Sequence, residues 1–508
     1  MRLYKYKVKT IMTFIKKSIF IFSLLGAITA SAQSFSAKVV DKKTGEAIPF
    51  ATIETGENQG VITNEDGFFT LSENNERQPQ DSIYISSLGY ARKGVLLQHV
   101  TENTILLEPK EFEIKEVFLT NNPLDSEEII DRVKENLDRN YSTGLSNKKV
   151  FFRQSDFKKM NKIDFGFQKS SIEELNKELM DSIALILPKT ASHYTEIAGN
   201  IYGDYTTPKL HIDKAAELYD KSKDLSSEAL TDRLEKIFKE NIKPNSYLKI
   251  KSGFFGTKVD LEETDNESQD GKMIQIRTEN PDDAPTLLTN QKERIADIYK
   301  QLFFNEDSEL DFLDKSNRYT FELKDYSYIE DASVYIIEFS PKGKKDFKGV
   351  LYVTTDDFAI VRLEFDNVRP LKKFGMFGIN YRRSIFKGKM LFGKDQNGKY
   401  APRYIEIEDG STFGIERPLK IIEKNKHVKG RRKQNELSLE LNIQGASRVK
   451  YELVVFASET ISQSTFNAAT ENTNVKATHL SSYDPTFWQD YTIMEPNKAI
   501  QAFKVIEE

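Results

Sequence analysis

TGEAIPFATI (44–53) and TNEDGFFTL (63–71) are the stretches whose reading decides the fold of the N-terminal part of this 508-residue chain. In the first, a Thr-Gly turn leads into a strand beginning at Pro49, a position where a missing N–H is tolerated at a sheet edge. In the second, Asn64-Glu65-Asp66-Gly67 reads as a tight turn in which Gly67 supplies a positive φ, so 60–63 and 68–71 form a hairpin. Outward from these, FSAKVVD (35–41) alternates, and further strands are expected at 82–87, 93–97 and 104–107. About seven short strands with frequent turns predict a β-sandwich over 34–109.

Upstream, Lys16 and Lys17 precede an apolar stretch over 19–28, and Ala30-Ser31-Ala32 has the small-x-small pattern of a signal-peptidase site. The reading is a cleaved export signal over 1–32 with a mature start at Gln33. Met12 is a second in-frame start that gives a signal of ordinary length. A retained membrane helix needs about 20 apolar residues, and this core has roughly half that. The chain has no cysteine, so neither a lipid anchor through an N-terminal Cys nor disulfides are available to it. Its 73 basic and 78 acidic residues nearly balance, which argues against a nucleic-acid partner and against general adhesion to anionic membrane. Aromatics at 11%, mostly Phe and Tyr, suit a β core.

TGEAIPFATI, TNEDGFFTL and DSIYISSLGY (81–90) together resemble the carboxypeptidase D regulatory-like domain, the transthyretin-like sandwich common in exported Bacteroidetes proteins and at the front of their TonB-dependent transporters. The resemblance covers 34 to about 109 and implies a non-catalytic accessory or docking module. It does not imply peptidase activity.

A zinc carboxypeptidase needs H-x-x-E and a distant third ligand, because zinc takes three protein ligands and leaves one position for water. His99-x-x-Glu102 and His193-x-x-Glu196 have the spacing, with His211 downstream, and His427 and His479 lie far beyond. The expectation is still no metal site, since His99 and Glu102 flank the last sandwich strand and no alternating βαβ region follows. No G-x-S-x-G elbow, phosphate-cradling glycine loop or dinucleotide glycine pattern is present. The runs at 262–265 and 282–283 read as solvated acidic loops with some capacity for a cation. No catalytic, cofactor-binding or metal-ligating residue is assigned, and no cofactor is expected.

Beyond a linker over 110–124, Asp125 and Glu128 form a capping box ahead of a helix over 129–141, with Ile129, Ile130, Val133 and Leu137 on one face. That stripe is either docked on its own domain or partner-binding. Further helices are expected at 172–187, 212–221 and 226–239, with 148–160 extended, so 125–310 reads as a mainly helical segment. From 318 the period changes to two. Strands over 334–339, 347–355, 359–366, 380–386, 388–392, 400–408 and 436–442, with Asn397-Gly398 and Asp409-Gly410 as tight hairpins, predict an antiparallel sheet over 318–460 with one apolar and one wet face. FKGVLYVTTDDFAIVRLEF (347–365) is similar to the strand pattern of LolA/LppX-like half-barrels, which implies an apolar side able to admit an acyl chain. Ordinary core is the competing reading. Charges on the second face of the strands argue against a membrane β-barrel.

Lys424, Lys426, His427, Lys429, Arg431, Arg432 and Lys433, joined by Lys342, Lys344 and Lys345, are candidates for phosphate or lipid head groups, with a solvated loop as the alternative. The tail over 461–508 carries YDPTFWQDYTIMEP (483–496), which holds the only tryptophan and reads as an aromatic latch. The fold class is thus α+β multidomain: a seven-stranded transthyretin-like sandwich, then a helical segment packed on a curved antiparallel sheet. The expected role is an exported, non-enzymatic binding or assembly protein of the periplasm or outer membrane, with an outer-membrane protein or envelope lipid as partner. Carriage of lipid or lipoprotein, and service to a TonB-dependent transporter, are the other readings. A zinc-dependent hydrolase is the remaining alternative.

Overall fold

The N-terminal strands are β1 (Phe35–Asp41), β2 (Thr52–Gly56), β3 (Gln59–Ile62), β4 (Phe68–Leu71), β5 (Ser82–Ser86), β6 (Lys93–Leu96) and β7 (Thr104–Leu107). This computed structural model describes residues 35–504 apart from 57–58, 72–81, 97–102, 111–123, 244, 254, 264–273, 277–285, 330–331 and 428–431. The expected export signal and linker residues 111–123 therefore lie outside the described residues. β1 pairs with β4 antiparallel and with β7 parallel. β2 pairs with β3 and β5, and β5 with β6. Val39, Phe69 and Ile105 of the first sheet and Ile53, Ile83 and Ile85 of the second share one apolar core. Gly67 stands at φ +81, and a Cβ there would lie 2.7 Å from the Val39 carbonyl oxygen, so this turn requires glycine. Asn64 Oδ1 accepts from the backbone N–H of Asp66 and Phe68, closing it.

The rest of the chain is organised by one large sheet. Its strands are β8 (Ser146–Asp164), β9 (Phe167–Ser170), β10 (Thr190–Gly203), β11 (Lys209–Tyr219), β12 (Ser246–Ser252), β13 (Phe255–Glu263), β14 (Ile274–Ile276), β15 (Tyr319–Ile329), β16 (Ala332–Pro341), β17 (Phe347–Thr354), β18 (Ile360–Asn367), β19 (Lys372–Met376), β20 (Ile379–Lys394), β21 (Tyr400–Asn425), β22 (Lys433–Thr460) and β23 (Thr478–Leu480). Pairings run β11–β10–β8–β22–β21–β20–β18–β17–β16–β15, antiparallel throughout. β23 joins β11 in parallel at one edge. β21 and β22, at 26 and 28 residues, extend far past their neighbours, and their distal halves gather β9 and β12, with β13 and β14 beyond.

Two helices cover one face: α1 (Ser126–Glu135), capped by the Asp125 carboxylate accepting from the Glu128 N–H, and, after α2 (Lys177–Ile186) and α3 (Ser222–Asn241), α4 (Leu287–Lys300). Ile129, Ile130 and Val133 of α1, Ile295, Ile298 and Tyr299 of α4, and Phe303, Phe312 and Leu313 of the following loop pack on Phe339, Leu351, Leu363, Met390, Ile405 and Leu453. The contacts are mostly ring on ring. Phe312 stacks on Phe339 at 4.7 Å between centroids, Phe303 meets Tyr141 at 5.3 Å and Phe392 at 5.4 Å, and Tyr299 meets Tyr205 at 5.0 Å. The apolar side of the sheet is filled by the chain's own aromatic residues. α2 and α3 cover the distal halves of β21 and β22 in a separate core containing Leu179, Ile183, Ile237, Leu248 and Leu439.

Residues 125–310, expected to be mainly helical, carry β8–β14 as well as these helices. The expected helix over 212–221 is the end of strand β11, and a β-bulge explains the misreading. The β10–β11 register skips Asp213, so Ile212 and Ala215, three apart, both face the helices, imitating the i, i+3 spacing of a helix. Asp409-Gly410, expected as a hairpin, lies inside β21. The strand runs straight on because its partners continue on both sides. Asn397-Gly398 does form a turn, with Gly398 at φ +73. The expected wet face holds only for part of the sheet. Around β8, β10 and β22 both faces are covered, which is why LVVF (453–456) is apolar without alternation.

Candidate functional site

The second face of the sheet meets the sandwich and the C-terminal tail, and charged side chains are buried at that junction. Period two places Phe151 and Arg153 of β8, Glu196 of β10, Lys450 and Glu452 of β22, and Tyr404 and Glu406 of β21 on this one face. Register then sets Arg153 opposite Glu196, and Glu406 opposite Glu452. Arg153 Nε donates to Glu196 Oε1 at 2.6 Å, its Nη2 donates to the Met494 carbonyl at 2.8 Å, and Glu452 lies 3.8 Å from its Nη1. Trp488 Nε1 donates to the other Glu196 oxygen at 3.0 Å. Arg153 and Glu196 are 1% and 0% exposed. Burial opposes the guanidinium charge, but Glu196 and Glu452 outweigh it and raise the Arg153 pKa.

Lys450 extends the network to the sandwich. Its ammonium reaches Glu65 at 2.6 Å, Glu406 at 3.0 Å and Glu452 at 3.3 Å. Burial works against that charge too, and the Glu452 and Glu406 carboxylates more than offset it. Tyr404 donates to Glu406 at 2.9 Å and stacks on Phe50 of the sandwich at 5.3 Å, while the Lys389 ammonium sits 3.8 Å from the Phe50 centroid. From the tail, Trp488 packs edge-on against Phe151 at 5.6 Å, the Pro496 carbonyl accepts from Asn64 Nδ2 at 3.0 Å, and Lys498 pairs with Asp66 at 3.3 Å. Sandwich, sheet and tail are thereby locked to one another by a satisfied ionic network. A network of this kind adds little net stability over an apolar core, but it penalises any geometry in which one partner is missing.

Glu495, partly buried beside this network, has its pKa raised by burial, against a hydrogen bond from Thr70 and the Arg153 charge. A carboxyl that holds its proton more tightly when folded contributes stability in full below its ordinary pKa of 4.5, and that contribution is lost as pH rises through the raised value. Glu495→Gln should therefore raise the melting temperature relative to the parent increasingly from pH 4 towards neutrality. A difference constant with pH would contradict this assignment.

Beside the latch lies a cleft of about 300 Å3, bounded by Phe50, Glu54 and Gln59 of the sandwich and by Arg362, Lys394 and Arg403 of the sheet. Its charges are compensated: Arg362 donates to Glu364, Lys394 lies 3.4 Å from Asp357, and Arg92 pairs with Glu54. The chemistry on offer is binding of a small ligand of mixed polarity, through apolar walls and a few polar groups.

The zinc candidates are not brought together. His193 and Glu196 share a strand at odd spacing, so their side chains leave opposite faces, and Glu196 is committed to Arg153 and Trp488. His211 sits opposite Asn200, roughly 20 Å along β10 from His193 at about 3.3 Å per residue. His99 and Glu102 lie outside the described residues. Among the described residues no group of three His, Cys, Asp or Glu side chains could hold a metal ion. The acidic positions 265, 282 and 283 also lie outside, as do Lys429 and Arg431. The two basic tips do not meet. The β16–β17 turn stands level with Asp409 through the strand register, whereas Lys424 and Lys433 pair at the far end of β21. Lys345 is held by Asp311, and Lys433 by Glu436.

Sequence reasoning did not single out Arg153, Lys450 and Glu452, and it met Glu196 only as a zinc candidate. The available signal was a charge at an inward position of strongly apolar strands, as in VFFRQ (150–154) and YELVVF (451–456).

Residues 35–119 match the CarboxypepD_reg-like domain. Among solved structures, the chain is similar to a domain described as that of an outer membrane lipoprotein-sorting protein from Vibrio parahaemolyticus, at 10% identity and a TM-score of 0.20, covering 68% of this chain and 97% of that one. It is also similar to the MucA/MucB complex of Pseudomonas aeruginosa, at 7% identity and a TM-score of 0.14, covering 63% and 93%. At such scores neither likeness carries an argument. No curated protein matches the sequence. Among the described residues no helix is long and apolar enough to cross a membrane.

Proposed function

We propose that this chain is a non-catalytic binding or assembly protein of the cell envelope, exported by cleavage after Ala32, with an outer-membrane protein or an envelope lipid as its partner. The observation that carries the reading is the buried latch. It fixes a regulatory-like sandwich rigidly to a large sheet while its ionisable groups are consumed by one another, which suits a docking scaffold. Carriage of an acyl chain is the second reading, favoured by the extent of apolar sheet surface. It requires displacing Phe303, Phe312 and Tyr299, which now fill that side.

Fractionation of cells expressing the full chain tests the proposal. The expected result is a chain in the envelope fraction beginning at Gln33, crosslinked to an outer-membrane protein or co-isolating with phospholipid. An uncleaved chain in the cytosol, or hydrolytic turnover by purified protein, would overturn it.

A further inference from the structure

β19 and β20 form a hairpin, KKFGMFGINYRR (372–383), that lies alongside β21 and displays exposed apolar side chains around its turn. Phe374, Met376, Phe377, Ile379 and Tyr381 are 48%, 51%, 57%, 38% and 39% exposed, and Phe255 of β13, 56% exposed, packs edge-on against Phe377 at 5.7 Å. Single exposed apolar side chains are ordinary, but five on one hairpin with a sixth beside its turn mark an interaction surface. The turn is also strained. Phe377 takes φ +51 ahead of Gly378 at +73, a left-handed position that an aromatic residue rarely occupies and that asparagine or glycine would fill more easily. Strain kept at an exposed tip points to the side chain it displays.

Behind the apex stands a collar of cations. Register pairs Lys372 with Arg383 and Lys373 with Arg382, like charges directly opposed across the ladder. Arg383 is neutralised by Glu309 and Asp409, which pins the hairpin base. Lys372, Lys373 and Arg382 are exposed and meet no carboxylate among the described residues. β19 has β20 as its only partner among the described residues, so its outer backbone groups are unpaired and need water or head groups. That confines the hairpin to the interfacial layer, with apolar tips about 5–10 Å deep and the cations at head-group level.

We propose that the 372–383 hairpin is a membrane wedge that docks the protein on an anionic phospholipid surface. The near-neutral overall charge does not oppose this, because attraction falls off within a Debye length and these exposed cations act locally. The proposal rests on the envelope reading for a lipid surface in the cell, but purified protein tests it independently of location.

The experiment is flotation of the full chain with vesicles of phosphatidylcholine alone and of phosphatidylcholine with phosphatidylglycerol, for the parent, Phe377→Asp, and Lys372→Glu/Lys373→Glu/Arg382→Glu. The parent should float with the anionic vesicles, Phe377→Asp should weaken that by about ten-fold or more, and the charge reversal by on the order of a hundred-fold. All three should share one melting temperature, since the changed side chains are exposed. A parent that stays free of anionic vesicles would overturn the proposal, as would equal flotation of Phe377→Asp. A hairpin that captures a purified outer-membrane protein but no vesicle would also overturn it, marking a protein interface instead. Vesicle binding by a chain found in the cytosol would leave the wedge standing and remove the envelope reading.

Discussion

Arg153→Ala should destabilise the protein by about 3–5 kcal/mol, measured by urea or thermal unfolding. The magnitude follows from what the substitution leaves behind. Glu196, 0% exposed in its side chain, would lose the cation it is paired with, Glu452 would keep only Lys450, and the Met494 carbonyl would lose its donor. The double variant Arg153→Met/Glu196→Gln should recover much of the loss, because the desolvation penalty of a charge disappears with the charge. The deficit of Arg153→Ala should also vary little with salt, since a buried pair is poorly screened. A loss under about 1 kcal/mol would mean that the three segments are not locked at this point.

Phe312→Ala should cost about 3–5 kcal/mol, the usual range for truncating a fully buried ring. Phe312 is wholly buried between Phe339 and Phe303 on the helix-covered face, so its removal opens a cavity that the surrounding rings cannot close. Such a cavity is lined by aromatic and aliphatic side chains and should take up a small apolar molecule, with the bound molecule restoring part of the stability. If the face instead served as a lipid seat with displaceable rings, Phe312→Ala would lose little stability and gain lipid binding. Equilibrium unfolding with and without added benzene separates the two outcomes.

The sandwich was legible because its signals are local: Asn64-Glu65-Asp66-Gly67 dictates a turn through the need for a positive φ, whatever surrounds it. The strands from 318 onward were legible by their period, but not their lengths, since an Asp409-Gly410 step is a turn signal locally and is overridden when Arg448 and Ile385 pair on either side of it. The expected helix over 212–221 failed for a different reason. One bulge at Asp213 resets the period, and a window of ten residues cannot distinguish that from a helix. The latch was hidden because its members are far apart in the chain. Arg153 and Glu452 each look like an ordinary residue until the register stacks them with Glu196 beneath Trp488. The tail's role was more accessible, because YDPTFWQDY has too much aromatic surface to be left in water.

The apolar side of the sheet is occupied by the protein's own helices and rings. Hydrogen–deuterium exchange of the α4 amides, residues 287–300, tests it most directly. Protection close to that of β21 and β22, unchanged when acyl ligand is added, is the predicted result. Rapid exchange of α4, or its release on addition of a fatty acid, would mean that the helix is a displaceable cover over a lipid seat.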